Sequence, residues 1–158
     1  YVRDRLIPAE DQLEELGRVP DDILAEMRDM GLFGVTIPES HGGAGMNISQ
    51  YIAFVEAIAY AAPAYRSIVS INIGMVCKAL VTFGTATQQA HWLPKLAGGA
   101  IAAFGLTEPD SGSDSAAMKT RAVRDGNGYV LNGTKRYITN APFADMIVVM
   151  ARTHADSM

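Results

Sequence analysis

The sequence holds one cysteine, one tryptophan and three histidines in 158 residues. A single thiol, Cys77, excludes an intrachain disulfide and suits a reduced cytosol, or the mitochondrial matrix in a eukaryote, better than secretion. Its apolar flanks favour a buried, unreactive thiol. His41, His91 and His154 share no ligand spacing, so no metal is expected. Charge is sparse as well: 19% charged residues and a net charge of −4 leave no basic stripe, and nucleic-acid binding lacks its electrostatic footing. The longest apolar run, residues 68–83, is 16 residues long and is broken by Ser70, Asn72 and Lys78. That is short of the roughly 20 residues needed to span a bilayer, so no membrane association is expected. The chain opens on Tyr1 with no basic-then-apolar leader, and it reads as a piece of a longer protein.

What is present is enough apolar sequence, 49% of residues, to bury a core. Pro8 forbids a regular helix interior, so the first helix is expected to begin near it. Asp21 and Asp22 after Pro20 open a second helix, with Ile23, Leu24, Met27 and Met30 on one face and Gly31 as its stop. A short apolar crossing, residues 32–37, leads to Pro38-Glu39-Ser40-His41-Gly42-Gly43-Ala44-Gly45. This stretch lacks the Lys-Ser/Thr of a phosphate loop and reads as a plain turn. Asn47 caps a third helix that Pro63 ends, and an almost wholly apolar fourth helix follows over 64–83. Thr85 and Gln88 form a capping box for a fifth helix, closed by Gly98-Gly99.

From residue 100 the period changes. Residues 101–106 read as a strand, and residues 118–124 alternate loosely. Asp125-Gly126-Asn127-Gly128 and Asn132-Gly133 signal tight turns on either side of Tyr129-Val130-Leu131. The apolar run 146–151 suggests a strand covered on both faces. Helices come first and strands afterwards, which predicts an α+β protein: an N-terminal antiparallel helical bundle, residues 1–99, then an antiparallel β domain, residues 100–158. A Rossmann unit would alternate strand and helix, so it is excluded.

Two segments carry the chemistry. Phe104-Gly105-Leu106-Thr107-Glu108-Pro109-Asp110-Ser111-Gly112-Ser113-Asp114 and Gly133-Thr134-Lys135-Arg136-Tyr137-Ile138-Thr139-Asn140 each combine an aromatic and aliphatic side chains with hydroxyls and glycine. That mixture suits a planar polar cofactor, whose faces need apolar cover and whose edges and phosphates need donors. The segments resemble the two flavin-contacting signatures of the acyl-CoA dehydrogenase family. The resemblance extends from the helical start through Ile37-Pro38-Glu39 and Gly42-Gly43 to Ala151-Arg152-Thr153.

The resemblance implies a helical domain, a middle β domain and a C-terminal helical domain absent from this sequence. It also implies FAD as cofactor. Carried over by position, Phe104, Leu106 and Thr107 would meet the flavin, and Gly112 and Ser113 the pyrophosphate, with Ser113 also near the acyl-CoA thioester. Tyr137, Ile138 and Thr139 would lie along the isoalloxazine, with Tyr137 standing where many members have tryptophan. The implied reaction is FAD-dependent α,β-dehydrogenation of an acyl-CoA to a trans-2-enoyl-CoA, as in fatty-acid and lipid metabolism. An electron-transfer flavoprotein would be the acceptor and a homotetramer the assembly. The family's base is a glutamate of the absent domain, so no catalytic residue is assigned here. Glu108, placed before Pro109 in a turn, reads as a structural carboxylate. Two alternatives stay open: a non-catalytic flavin-binding or scaffold subunit of the same fold, and a related acyl-CoA oxidase or flavin monooxygenase. The tight spacing of residues 104–114 leans towards a dehydrogenase.

Overall fold

A computed structural model describes residues 1–153; His154 and the four residues after it lie outside the described residues. The chain winds from its second residue, as a π turn Val2–Leu6, a 3-10 turn Ile7–Ala9 and then α1, Glu10–Leu16. The expected start at Pro8 is therefore replaced by a change of winding at that residue. Pro8 sits in the first turn of the 3-10 segment, where a missing N–H costs little. Burial of Leu6 anchors the preceding turn.

Helix α2, Asp21–Asp29, buries Ile23, Leu24 and Met27 and ends at Gly31, whose φ of 69° is open to glycine. The turn at residues 38–45 spends its donors internally. Ala44, Gly45 and Met46 N–H groups bond the carbonyls of Gly34, Ile37 and Val35 at 2.8–3.0 Å. A side chain on Gly43 would lie 2.1 Å from the Ile37 carbonyl oxygen, so the turn needs that glycine for packing. Helix α3, Ile48–Ile58, opens with a full Asn47/Gln50 capping box. The next helical run is continuous: α4, Pro63–Ser70, a π segment Ile71–Cys77, and α5, Lys78–Phe83. At 21 residues it is longer than the apolar stretch of the sequence and, by length and composition, could cross a membrane. In this fold it is the central helix. It packs on β1, on α6 and on the 3-10 turn Leu32–Gly34, with Tyr65, Val69, Asn72, Ile73 and Val76 buried. Helix α6, Ala86–Ala97, carries the expected Thr85/Gln88 capping box and accommodates Pro94 inside it.

Four strands follow among the described residues: β1, Ala102–Gly105; β2, Arg121–Asp125; β3, Gly128–Asn132; and β4, Met146–Val149. β2 and β3 form the expected antiparallel hairpin. β1 and β4 instead pair in parallel, Ala102 opposite Met146 through Gly105 opposite Val149, so the β part is mixed rather than purely antiparallel. The long excursion between them, hairpin included, supplies the crossover that a parallel pair requires. The α+β order of helices then strands stands. β4 has one covered face: Met146 and Val148 pack on the helices, while Ile147 is 44% exposed.

The core has two parts. One joins α1, α2, α3 and α4 around Leu6, Ile23, Met27, Phe33 and Tyr65. The other joins Val76, Leu80, Leu93 and Leu96 to Ala102, Phe104, Met146 and Val148, and so seats the parallel pair on the helices.

Candidate functional site

The chain leaves β1 at Gly105 and at once pairs with the second segment. Arg136 N–H donates to the Thr107 carbonyl at 2.8 Å, and Lys135 Nζ donates to the Leu106 carbonyl at 2.9 Å. Lys135 Nζ also donates to Glu108 Oε1 at 2.7 Å, with both side chains nearly buried. Glu108 accepts further bonds from the Thr120 N–H at 2.9 Å and the Lys119 N–H at 2.5 Å. Burial alone would push its pKa up; the Lys135 ammonium and these donors outweigh it and hold the carboxyl at about 2. A carboxylate so committed is a poor base for abstracting a proton, in keeping with a structural role.

The two segments are thus brought side by side through bonds between residues 27–29 positions apart. Phe104, Leu106, Thr107 and Ile138 are half-buried there, and Gly112, Ser113 and Thr139 are exposed. Tyr137 is 77% exposed, with a backbone φ of 58° and the Arg136 guanidinium 4.5 Å from its ring centre. A tyrosine in the left-handed region is strained by roughly 1–2 kcal/mol, and such strain concentrates at functional sites. Among the described residues, the hydroxyls of Thr107, Ser113 and Thr139 and the N–H groups of Gly112 and Ser113 have no hydrogen-bond partner within the chain. The two segments thus carry an exposed flat ring and unspent donors, which suit a ligand with an aromatic face and polar edges.

A cavity of about 450 Å³ opens next to it, at the seam between helices and strands. It is lined by Leu24 and Arg28 of α2, Ser67 and Ile68 of α4, Ile101, and Thr139, Asn140 and Phe143, with Arg18 and Asp21 also in its lining. The cavity joins Thr139 to a helix about 70 positions earlier in the chain, with which it shares no local signal.

Comparison with known proteins fixes the family. The model for "Acyl-CoA dehydrogenase, N-terminal domain" matches residues 1–100, and that for "Acyl-CoA dehydrogenase, middle domain" matches residues 103–158. The chain belongs to the acyl-CoA dehydrogenase family. It is 34% identical over 157 residues to an acyl-CoA dehydrogenase of Bacillus subtilis, covering 99% of this chain and 41% of that protein. A solved glutaryl-CoA dehydrogenase from Mycobacterium smegmatis in complex with FADH2 superposes with a TM-score of 0.89 at 38% identity, covering 96% of this chain and 39% of that one. A chain from the electron transferring flavoprotein structure of Acidaminococcus fermentans gives a TM-score of 0.90 at 33% identity, over 97% and 40%. The chain therefore spans about two-fifths of the length of the acyl-CoA dehydrogenases it matches.

Three polar residues that hold these segments together escaped sequence reasoning. Lys135 clamps both segments, Asp145 accepts the Ile101 N–H at 2.8 Å, and Asn72 is fully buried against β1. The signal for Asn72 was present, as a lone amide inside an apolar helix. For Lys135 and Asp145 nothing local marks the partner. Cys77 is buried, and that burial pushes its thiol up to about 12, leaving it outside the chemistry.

Proposed function

We propose that this chain carries the flavin-facing and part of the acyl-facing surface of an FAD-dependent acyl-CoA dehydrogenase. The observation that bears most weight is the pairing of Thr107 with Arg136, reinforced by Lys135, which aligns the two segments around the exposed Tyr137 ring. Phe104 and Leu106 give apolar support, and the Tyr137 ring and Ile138 cover a face of the isoalloxazine. Thr107 and Thr139 bond its polar edge. Gly112 allows close approach of the pyrophosphate, and the Ser113 hydroxyl and N–H serve it and the acyl-CoA thioester. Bound FAD supplies the hydride acceptor that no side chain can provide.

The seam cavity is the natural place for the acyl group, because Ile68, Ile101 and Phe143 line it and Thr139 stands at its flavin side. The reaction is removal of the α-proton by a carboxylate base and of the β-hydrogen as hydride, giving a trans-2-enoyl-CoA. The base, as the family resemblance implies, is a glutamate of the C-terminal helical domain, and Glu108, held by Lys135, keeps its structural role. Electrons pass to an electron-transfer flavoprotein, a reading that the Acidaminococcus structure supports by its description. We place the division into a helical unit, residues 1–99, and a β unit, residues 100–158, at the change of period. A homotetramer in the cytosol, or in the matrix of a eukaryote, completes the proposal.

Anaerobic addition of short, medium, long and branched acyl-CoAs to the flavin-loaded full-length protein tests it. Bleaching of the flavin band by one class, with the enoyl-CoA recovered, is the expected result. A loaded protein that no acyl-CoA bleaches would refute the dehydrogenase reading.

A further inference from the structure

Residues 100–102 join the helices to the strands, and three polar side chains from three different segments hold their backbone. Asn72 donates from Nδ2 to the Ala100 carbonyl at 2.6 Å and accepts at Oδ1 from the Ala102 N–H at 2.7 Å. Asp145, just before β4, accepts the Ile101 N–H, and its own N–H returns to the Ile101 carbonyl at 2.8 Å. Asn140, with a φ of 70°, donates from Nδ2 to the Ala102 carbonyl at 3.1 Å.

The joint also borders the seam cavity. Ile101, the residue between the two that Asn72 grips, lines it. Ser67 and Ile68 lie about one turn ahead of Asn72 on the same helical run. Thr139 and Asn140 line the same cavity. Asn72 is fully buried, in a segment wound as a π-helix, a winding that recurs at functional sites. An apolar residue there would strip the Ala100 carbonyl and the Ala102 N–H of these bonds, a cost that the amide avoids. Its two bonds fix β1 both along and across the central helix.

We infer that Asn72 is a positioning residue for the seam cavity: it clamps β1 to the central helix, so that the lining residues Ser67 and Ile68 of that helix and Ile101 at the joint keep one arrangement with Thr139 and Asn140. That the cavity serves flavin and acyl group rests on the function proposed above.

The test combines amide hydrogen exchange with FAD affinity, read by quenching of flavin fluorescence, in the full-length protein. The variants are Asn72→Ala, Asn140→Gly and, as a control, Thr85→Ala, whose lost cap lowers stability away from the joint. Asn72→Ala and Asn140→Gly should speed exchange at the Ala102, Phe143 and Asp145 amides by about tenfold or more beyond any change in α2 and α6. They should also weaken FAD binding by about tenfold. Thr85→Ala should show no local excess and keep FAD affinity within about twofold. If Asn72→Ala fails to fold, the nearly isosteric Asn72→Leu decides, because it removes both bonds while filling the space. Uniform exchange changes in the folded Asn72 variant with unaltered FAD affinity would overturn the clamp. If the wild-type protein takes up no FAD, the proposed function fails, and the exchange pattern alone then decides the clamp either way.

Discussion

Replacing Glu108 by glutamine isolates the contribution of the buried pair that ties the two segments together. The carboxyl is held at about 2 against an ordinary 4.5, and the residue is only 5% exposed, so solvent screens the interaction little. A depression of that size corresponds to about 3 kcal/mol, within the range for breaking a buried pair and stranding its lysine. Because the folded pKa lies below the unfolded one, the stabilisation is present above about pH 4.5 and is lost as pH falls towards 2. Urea unfolding of wild type and Glu108→Gln should therefore differ by about 3 kcal/mol at pH 7, and the gap should close on acidification through that window. A difference under about 0.5 kcal/mol at pH 7, or a gap that does not change with pH, would refute the reasoning. Turnover adds a second check on the flavin-loaded, full-length variant: a structural carboxylate leaves measurable activity. Complete loss with fold and flavin intact would return Glu108 to the chemistry.

Gly133→Ala would bring a Cβ within 2.6 Å of the Thr120 Cα and should cost about 1–3 kcal/mol in urea unfolding, since the displaced residue also donates to Glu108. Tyr137→Gly relieves a left-handed tyrosine and should raise stability by about 1 kcal/mol while weakening FAD binding; unaltered affinity would remove Tyr137 from the site. Cys77, its thiol raised by burial to about 12, should react with a thiol reagent at pH 8 only as fast as the protein opens, and immediate reaction in the native state would contradict that burial.

Local signals read well from the sequence. Asn47 and Thr85 cap helices, Gly31 ends one, and Gly126 turns the hairpin, because each of these depends on residues within a few positions. The segments 104–114 and 133–140 were legible as a composition suited to a flat polar ligand. Their alignment was not, since it depends on Lys135 reaching Leu106 and Glu108, 29 and 27 residues away. The parallel pairing of β1 with β4 was hidden for a similar reason: an apolar strand carries no mark of its partner's direction. Pro8 misled because a proline stops an α-helix interior but not a tight turn between two windings. Asn72 looked like a flaw in an apolar run, and only the backbone of Ala100 and Ala102 beside it explains the amide.

The most direct test of the site is the visible spectrum of the purified full-length protein, with intact mass, before and after reconstitution with FAD, compared with a Thr107→Val/Thr139→Val double variant. The account predicts a stoichiometric flavin band in the wild type and weakened retention in the variant, whose edge hydroxyls are gone. A folded wild-type protein that takes up no flavin even on reconstitution would contradict it.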